Sequence, residues 1–150
     1  MNEQLHKAKE ELKRVDHLIY VSLKYTRTVD VIRNVVDRLI SSFDFVLDSL
    51  LQDQIDAEKL EIIPQAPKLK CELIEKFYSK DKVILAAVDE YLLLRLILRV
   101  EYESENEYRR HVGMIMTIEG KELKVNIDQV SIYYQRAKEL IEYLEKTNND

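Results

Sequence analysis

Glycine and proline are scarce in this sequence, with two of each among 150 residues. β-Sandwiches and doubly wound α/β folds contain many more turn residues, so the scarcity favours long helices. The sequence has no P-loop, no glycine-rich dinucleotide motif and no nucleophile elbow, which are the glycine-dependent sites of several large enzyme classes. The composition therefore favours a helical protein outside those classes.

Cysteine and histidine are also few, with one cysteine and three histidines. Cys71 has no partner for an intramolecular disulfide bond, and one cysteine with scattered histidines does not form a zinc site. A small buried side chain on a helix is the more common role of such a cysteine. The Glu-x-x-His pairs that di-iron helical bundles use are absent. We therefore expect neither a metal ion nor a cofactor.

Long apolar runs and an excess of positive charge are missing as well. The segments VILAAV and YLLLRLILRV are too short or too charged to span a bilayer. The charged N-terminus is not typical of a signal or transit peptide. These features predict a cytoplasmic protein without membrane contact. Because the net charge is −5, binding to nucleic acid would depend on a local cluster of arginines.

What the sequence does contain is apolar residues at helical spacing. Its length and its 46% of hydrophobic residues are typical of one globular domain, here residues 1–150. In most of the chain, apolar positions recur every three or four residues, which predicts amphipathic helices. The predicted helices cover residues 3–24, 29–52 and 67–78, then about 80 to 109, and finally 130–144.

The starts of these helices carry residues that are common at such positions. Thr28 is suited to cap the second helix, and Pro67 is suited to the first turn of the short third one. Ser79 or Asp81 is expected to cap the fourth helix, and Asp128 the last. The segment YTRTVD, rich in β-branched residues, predicts a break between the first two helices.

Residues 112–127 alternate between apolar and polar side chains, which predicts a β-hairpin. Gly120, between Glu119 and Lys121, can take the positive φ that a tight turn needs. An isolated hairpin is marginally stable, so its apolar face must pack on the helices or on a partner. The predicted fold class is therefore all-α, a bundle of about five helices with one hairpin before the last helix.

The segment RLILRVEYESENEYRRH, residues 95–111, places arginines on an apolar helix. At about 100° per residue, six polar residues share one face of that helix. They are Tyr91, Arg95, Arg99, Tyr102, Asn106 and Arg109. Buried guanidinium groups are costly unless carboxylates or an anion meet them. Three interpretations are open: pairing with Asp30, Asp37, Asp44 or Asp48, binding of a phosphate-bearing ligand, or exposure to solvent.

The eight residues RLILRVEY resemble the signature helix of the higher-eukaryote and prokaryote nucleotide-binding (HEPN) superfamily. That superfamily consists of small helical bundles, many of them RNases of toxin–antitoxin and defence systems, often dimers with the active site at the dimer interface. Its signature is an arginine, four to six residues, a histidine and, in one branch, a tyrosine two positions later. Arg95 and Tyr102 match this pattern, whereas Val100 stands at the histidine position. Because valine cannot transfer a proton, the resemblance implies a member without catalysis.

Two other histidines keep an enzyme among the alternatives. His111 follows Arg109 and Arg110, and could serve as a displaced base of a metal-independent RNase. The ordinary alternative is a cationic helix end. His17 could serve as such a base too, and it lies near one face of the first helix with Tyr20, Lys24 and Arg27. Such a set can form a basic groove, although it is more often a solvated face.

The function that the sequence predicts is a non-catalytic, HEPN-like module that binds a protein or nucleic-acid partner, with RNA as one candidate, and that forms a homodimer. The alternatives are the RNase and a purely structural interaction protein. The residues predicted to bind the partner are Arg95, Arg99, Tyr102, Arg109, Arg110 and His111.

Overall fold

Helices make up most of the computed structural model, which describes residues 2–148. The helices are α1 (Glu3–His17), α2 (Leu23–Tyr25), α3 (Val29–Asp56), α4 (Pro67–Phe77), α5 (Lys82–Arg99) and α6 (Ile127–Asn148). The strands are β1 (Glu103–Glu105), β2 (Gly113–Ile118) and β3 (Lys121–Asn126). A π-helical turn joins α1 to α2, so the described chain forms five helical rods. The predicted mainly helical fold is confirmed.

The long helix α3 lies at the centre of the fold and packs against α1, α4, α5 and α6. Its apolar residues recur every three or four positions, and Val35, Leu39 and Phe43 are among its fully buried side chains. This spacing puts the apolar side chains on the faces that meet neighbouring helices. The core is therefore built around α3.

Three of the predicted helix starts are confirmed. Thr28 precedes α3, and its hydroxyl accepts a hydrogen bond from the Val31 N–H at 3.3 Å. Pro67 is the first residue of α4. Asp81 caps α5 by accepting from the N–H groups of Val83 and Ile84. At Thr28 and Asp81, a short-range hydrogen bond satisfies a backbone donor that the first helical turn leaves unpaired, whereas Pro67 has no backbone N–H that would need a partner.

The predicted cap of the last helix is wrong by two positions. The side chain of Asn126 accepts a hydrogen bond from the Gln129 N–H at 2.9 Å, so Asn126 takes the capping role. Asp128 lies inside the first turn of α6. The helix begins earlier because it follows directly on β3, whose last residue is Asn126.

The π-helical turn, Leu18–Ser22, changes the facing of the first rod. The Leu23 N–H donates to the carbonyl of Leu18, five residues earlier, so the turn holds one residue more than an α-helical turn. Ile19 and Leu23 stay buried while Tyr20 is exposed. The predicted break in YTRTVD is confirmed, because residues 26–28 lie outside any helix.

The prediction that the arginine helix runs to about residue 109 is wrong. Helix α5 ends at Arg99, and Val100 has extended backbone with ψ of 154°. Ile97 is the last fully buried position of α5, and the polar residues from 101 to 104 are exposed. Without apolar side chains to pack on the core, the helix has nothing to hold it beyond Val100.

The predicted single hairpin is part of a sheet of three antiparallel strands in the order β1-β2-β3. The hairpin itself is present, with Met114 opposite Val125, and β1 adds to its free edge with Glu103 opposite Ile115. Glu119 and Gly120 form the turn with φ of 53° and 77°. Met114 and Val125 are fully buried, and the sheet packs on α3 and α6. The apolar face of the hairpin is thus covered by the chain's own helices.

Candidate anion-binding cleft

The arginines of α5 do not form an ion-pair network with the aspartates of α3, which was one of the three open interpretations. Neither Arg95 nor Arg99 makes an ion pair within residues 2–148. The guanidinium carbon of half-buried Arg95 lies 5.8 Å from the centre of the Tyr91 ring. The Tyr91 hydroxyl donates to the carboxylate of Asp44. Burial raises the pKa of this carboxyl group, and the hydrogen bond from Tyr91 lowers it by a smaller amount. Arg99 is exposed at the end of the helix.

Tyr102 and Arg109 lie outside α5, so the predicted polar stripe does not exist as one helix face. The Arg33 guanidinium carbon lies 4.9 Å from the centre of the Tyr102 ring, and an Arg33 amino group donates to the carbonyl of Leu98 at 3.1 Å. Arg33 thus binds a free carbonyl at the C-terminal end of α5. Arg109 is exposed in a turn, and its N–H donates to the carbonyl of Asn106.

The segment from residue 106 to residue 112, here called the docking loop, crosses to the start of α3. The Tyr108 N–H donates to the carbonyl of Arg27 at 2.6 Å. The Glu107 carboxylate accepts from the N–H of Val29, the first residue of α3, at 3.2 Å. Asn106 and Tyr108 both have positive φ, 55° and 66°, a conformation that tyrosine rarely adopts. These contacts fix the loop against the end of the first rod.

The docking loop forms one wall of a cleft of about 360 Å³, here called the basic cleft. The π-helical turn with α2 forms the second wall, and the start of α6 forms the third. Ile19, Leu23 and Ile127 give the cleft an apolar part. The extra residue of the π-helical turn affects this wall directly, and such turns are frequent at functional sites.

Four basic side chains line the basic cleft: Lys24, Arg27, Arg110 and His111. With histidine neutral, three positive charges stand against the single carboxylate of Asp128. None of the three cations makes an ion pair within the described residues 2–148. Unpaired cations that converge on a concave surface are suited to an anion such as a phosphate group.

Three tyrosines in the segments that form the walls of the basic cleft are unusually exposed. Tyr20 is 58% exposed, and Tyr25 and Tyr108 are each 79% exposed. Tyr20 lines the cleft, Tyr25 ends α2, and Tyr108 belongs to the docking loop. Exposed aromatic rings beside a basic groove are typical of surfaces that bind single-stranded nucleic acid, because bases stack on the rings.

The structure therefore does not bring the predicted binding residues together, and Arg109 lies exposed in the docking loop. Arg110 and His111 line the basic cleft, whereas Arg95 and Arg99 lie on α5, and Tyr102 packs beside Arg33. Tyr20, Lys24 and Arg27 were predictable as a groove on the first helix, but their meeting with the docking loop was not. Tyr25 and Tyr108 were not predicted, although an aromatic side chain within a strongly polar segment was a signal for each.

His17 lies in a different concavity, of about 370 Å³, beside Arg14 and Arg38. Both arginines there bind the buried carboxylate of Glu11, and the Arg38 contact is 3.4 Å long. A buried carboxylate needs such partners. These two cations already serve the fold, so the second concavity offers less free positive charge than the basic cleft.

Metal-binding side chains are not clustered in the described residues. Within residues 2–148, no three histidine, cysteine, aspartate or glutamate side chains lie close enough together to hold an ion. Cys71 is buried, and burial raises the pKa of its thiol to about 11, so the nucleophilic thiolate is scarce at neutral pH. In the same part of the chain, no helix combines the length and the apolar character needed to cross a membrane.

No family model, no curated protein and no solved structure matches this chain. The resemblance of RLILRVEY to the HEPN signature is therefore still a prediction from the sequence. The structure places Arg95 on α5, Val100 at its C-terminal cap and Tyr102 beyond the helix.

Proposed function

We propose that this chain is a non-catalytic, HEPN-like helical module that binds a single strand of nucleic acid at the basic cleft. The observation that carries the proposal is the meeting of Lys24, Arg27 and Arg110 on one concave surface without ion-pair partners in residues 2–148. In this proposal the three cations bind backbone phosphates, and bases stack on the exposed tyrosines around the cleft.

Local charge makes the proposal compatible with an acidic protein. The whole chain has a net charge of −5, which repels a polyanion at long range. Salt screens that repulsion over about 10 Å, while contacts inside a cleft are screened much less. We therefore expect binding that depends on a few contacts and covers a short stretch of the strand.

A metal-independent RNase is the second candidate, and one observation favours it. His111 lines the same cleft as Arg27 and Arg110, so a proton acceptor lies beside groups that can stabilise a negatively charged transition state. Val100, at the position of the family's histidine, has no such capacity. Every binding assay should therefore also score cleavage.

Two other expectations from the sequence stay predictions. One is the homodimer, for which the surface around Arg95 and Arg99 is the remaining argument, because the hairpin's apolar face is covered by α3 and α6. The other is the cytoplasmic location. Binding of a different protein at the surface around Arg95 also stays a prediction, and it rests on the same surface as the homodimer.

The test compares variants in binding to a labelled single-stranded RNA without metal ions, measured by fluorescence anisotropy at several salt concentrations. Arg27→Ala and Arg110→Ala are each expected to weaken binding for all sequences. Each should also reduce the slope of log affinity against log salt by about 1, since one phosphate contact is lost. Arg136→Ala is the matched control, because Arg136 is an exposed arginine of α6 that pairs with Glu90.

The variant Arg95→Ala distinguishes the cleft from the α5 surface. We expect it to bind like the wild type. Loss of binding in this variant, with Arg27→Ala unaffected, would place the contact on α5 and contradict the cleft. RNA cleavage that disappears in His111→Ala would establish the RNase and overturn the non-catalytic proposal. Absence of any salt-sensitive binding would remove the nucleic-acid proposal altogether.

A further inference from the structure

One carboxylate, that of Asp128, lines the basic cleft together with the cations. It is exposed in the first turn of α6 and makes no ion pair within residues 2–148, so none of Lys24, Arg27 and Arg110 contacts it directly. It does not cap the helix either, because Asn126 already does so. The carboxylate oxygens are therefore available to a ligand.

A carboxylate in a phosphate-binding cleft has a cost. It repels the phosphate, so a site for phosphate alone would be better without Asp128. The combination of cations and an available carboxylate suits a ligand that brings both an anionic group and a hydrogen-bond donor. Each unit of an RNA strand has both, the phosphate and the ribose 2′-hydroxyl. DNA lacks the hydroxyl.

The exposed tyrosines suggest which part of the strand faces Asp128. Tyr25 and Tyr108 stand at the outside of the molecule, each 79% exposed, where bases can stack on them. In the proposed complex, bases stack on these rings while the sugar–phosphate backbone binds the cations of the cleft. The ribose 2′-hydroxyl is a hydrogen-bond donor of that backbone, and it occurs in every RNA sequence.

We propose that the basic cleft distinguishes RNA from DNA, with Lys24, Arg27 and Arg110 binding phosphates while the carboxylate of Asp128 accepts a hydrogen bond from a ribose 2′-hydroxyl. This inference rests on the proposed function, since it specifies the class of strand that the same cleft takes. It makes Asp128 a specificity-determining residue and adds nothing to the affinity for DNA.

The experiment measures binding of three strands of equal length and identical bases, made of uridine, of deoxyuridine, and of 2′-O-methyluridine. The wild type is expected to bind the uridine strand about tenfold more tightly than the other two, because a hydrogen bond to a charged group is lost in both. The 2′-O-methyl strand keeps an RNA-like sugar but has no donor, which separates the hydrogen bond from strand shape.

Three variants complete the design. Asp128→Ala should lose the preference while binding the deoxyuridine strand as tightly as the wild type does, or more tightly, because a negative charge has left the cleft. Asp128→Asn keeps an acceptor oxygen and should keep part of the preference. Glu142→Ala removes the same charge from another exposed position of α6 and should keep all of it. Thermal unfolding checks that each variant is folded.

The outcomes separate this inference from the proposed function. Equal, salt-sensitive binding of all three strands by the wild type would overturn the role of Asp128 and leave the proposed function standing. An RNA preference that persists in Asp128→Ala would do the same. Failure of the wild type to bind any of the strands, or a mixed-sequence RNA, would overturn both. Loss of the preference in Asp128→Ala alone supports the inference.

Discussion

Two buried tyrosines differ in what their hydroxyl groups contact. The hydroxyl of Tyr91 donates to the carboxylate of Asp44. That of Tyr133 is buried and has no hydrogen-bond partner within residues 2–148. A buried polar group without a partner costs free energy, whereas a satisfied one stabilises the fold modestly. The same chemical change, removal of one hydroxyl, should therefore have different effects at the two positions.

We predict that Tyr133→Phe leaves the free energy of unfolding unchanged or raises it by up to about 1 kcal/mol. Tyr91→Phe should lower it by about 1 to 2 kcal/mol, because the half-buried carboxylate of Asp44 loses its donor. Urea denaturation at neutral pH measures both values. A larger loss in Tyr133→Phe than in Tyr91→Phe would show that the Tyr133 hydroxyl has a partner in solution.

At the scale of single residues, the sequence predicted what depends on near neighbours. The caps by Thr28 and Asp81 involve donors within three residues, so the local sequence contains the whole interaction. The predicted cap of α6, Asp128, was wrong for a different reason. Asn126 caps the helix because β3 ends there, and the end of β3 depends on its pairing with β2. That pairing is a contact between segments, which a local pattern does not contain.

At the scale of elements, the end of α5 determines where the binding residues lie. The polar spacing continued past Arg99 and so predicted one long stripe. The apolar spacing stopped at Val100, and that was the better signal, because packing holds a helix in place more than the pattern of its polar face does. Once α5 ends, the chain can reach the start of α3 through the docking loop and bring Arg110 and His111 beside Arg27.

Glu107 tests the docking loop as an element. Glu107→Ala removes the hydrogen bond to Val29 and is predicted to weaken RNA binding about threefold to tenfold, since a lost hydrogen bond of this kind costs about 1 kcal/mol. The direction is informative. Removing a negative charge near a phosphate site strengthens binding by simple electrostatics, so weaker binding indicates that the loop has lost its position. Anisotropy with single-stranded RNA measures the effect.

Two variants serve as controls for Glu107→Ala. Glu107→Gln keeps an acceptor oxygen and should keep most of the affinity. Glu103→Ala removes the same charge from an exposed position on β1 and should not weaken binding. Equal affinity of Glu107→Ala and the wild type would mean that the docking loop holds Arg110 without this contact.

At the scale of the whole molecule, several groups resist ionisation in the folded chain. Burial raises the pKa of the Cys71 thiol from 9.0 to about 11. Burial also raises the pKa of Tyr91 and Tyr134, and the carboxylates of Asp44 and Asp16 that accept from their hydroxyls raise both further. At alkaline pH the unfolded chain releases these protons first. The folded state then binds more protons than the unfolded state, so stability falls as pH rises.

We predict that the free energy of unfolding is constant to about pH 9 and decreases from there to about pH 11. Urea denaturation across this range measures the decrease. Cys71→Ala should make the decrease shallower, because the thiol no longer contributes, while the tyrosines still do. A free energy of unfolding that stays constant to about pH 11 would contradict the raised pKa values of these groups.

The fold class was predictable for the whole molecule because the sequence of each helix contains its own apolar spacing. The basic cleft was not predictable, although all four of its basic side chains stood out in the sequence. Arg27 and Arg110 are far apart in the sequence. They meet because α5 ends at Arg99, before the docking loop, and because the backbone of Tyr108 adopts a positive φ. Neither event has a strong local signal, and the cleft needs both.

The extra residue in the turn Leu18–Ser22 has a consequence for how such a cleft arises or disappears. In a regular α-helix each residue advances the facing by about 100°, so the same residues without the wider turn would carry Lys24 about 100° round to a different side. The buried positions before the turn would be unaffected. A substitution that converts this turn to regular α-helix, with no change to any basic residue, would thus separate the first rod's cations from Arg110 and His111, whereas deletion of one residue from the turn would leave Lys24 facing the cleft.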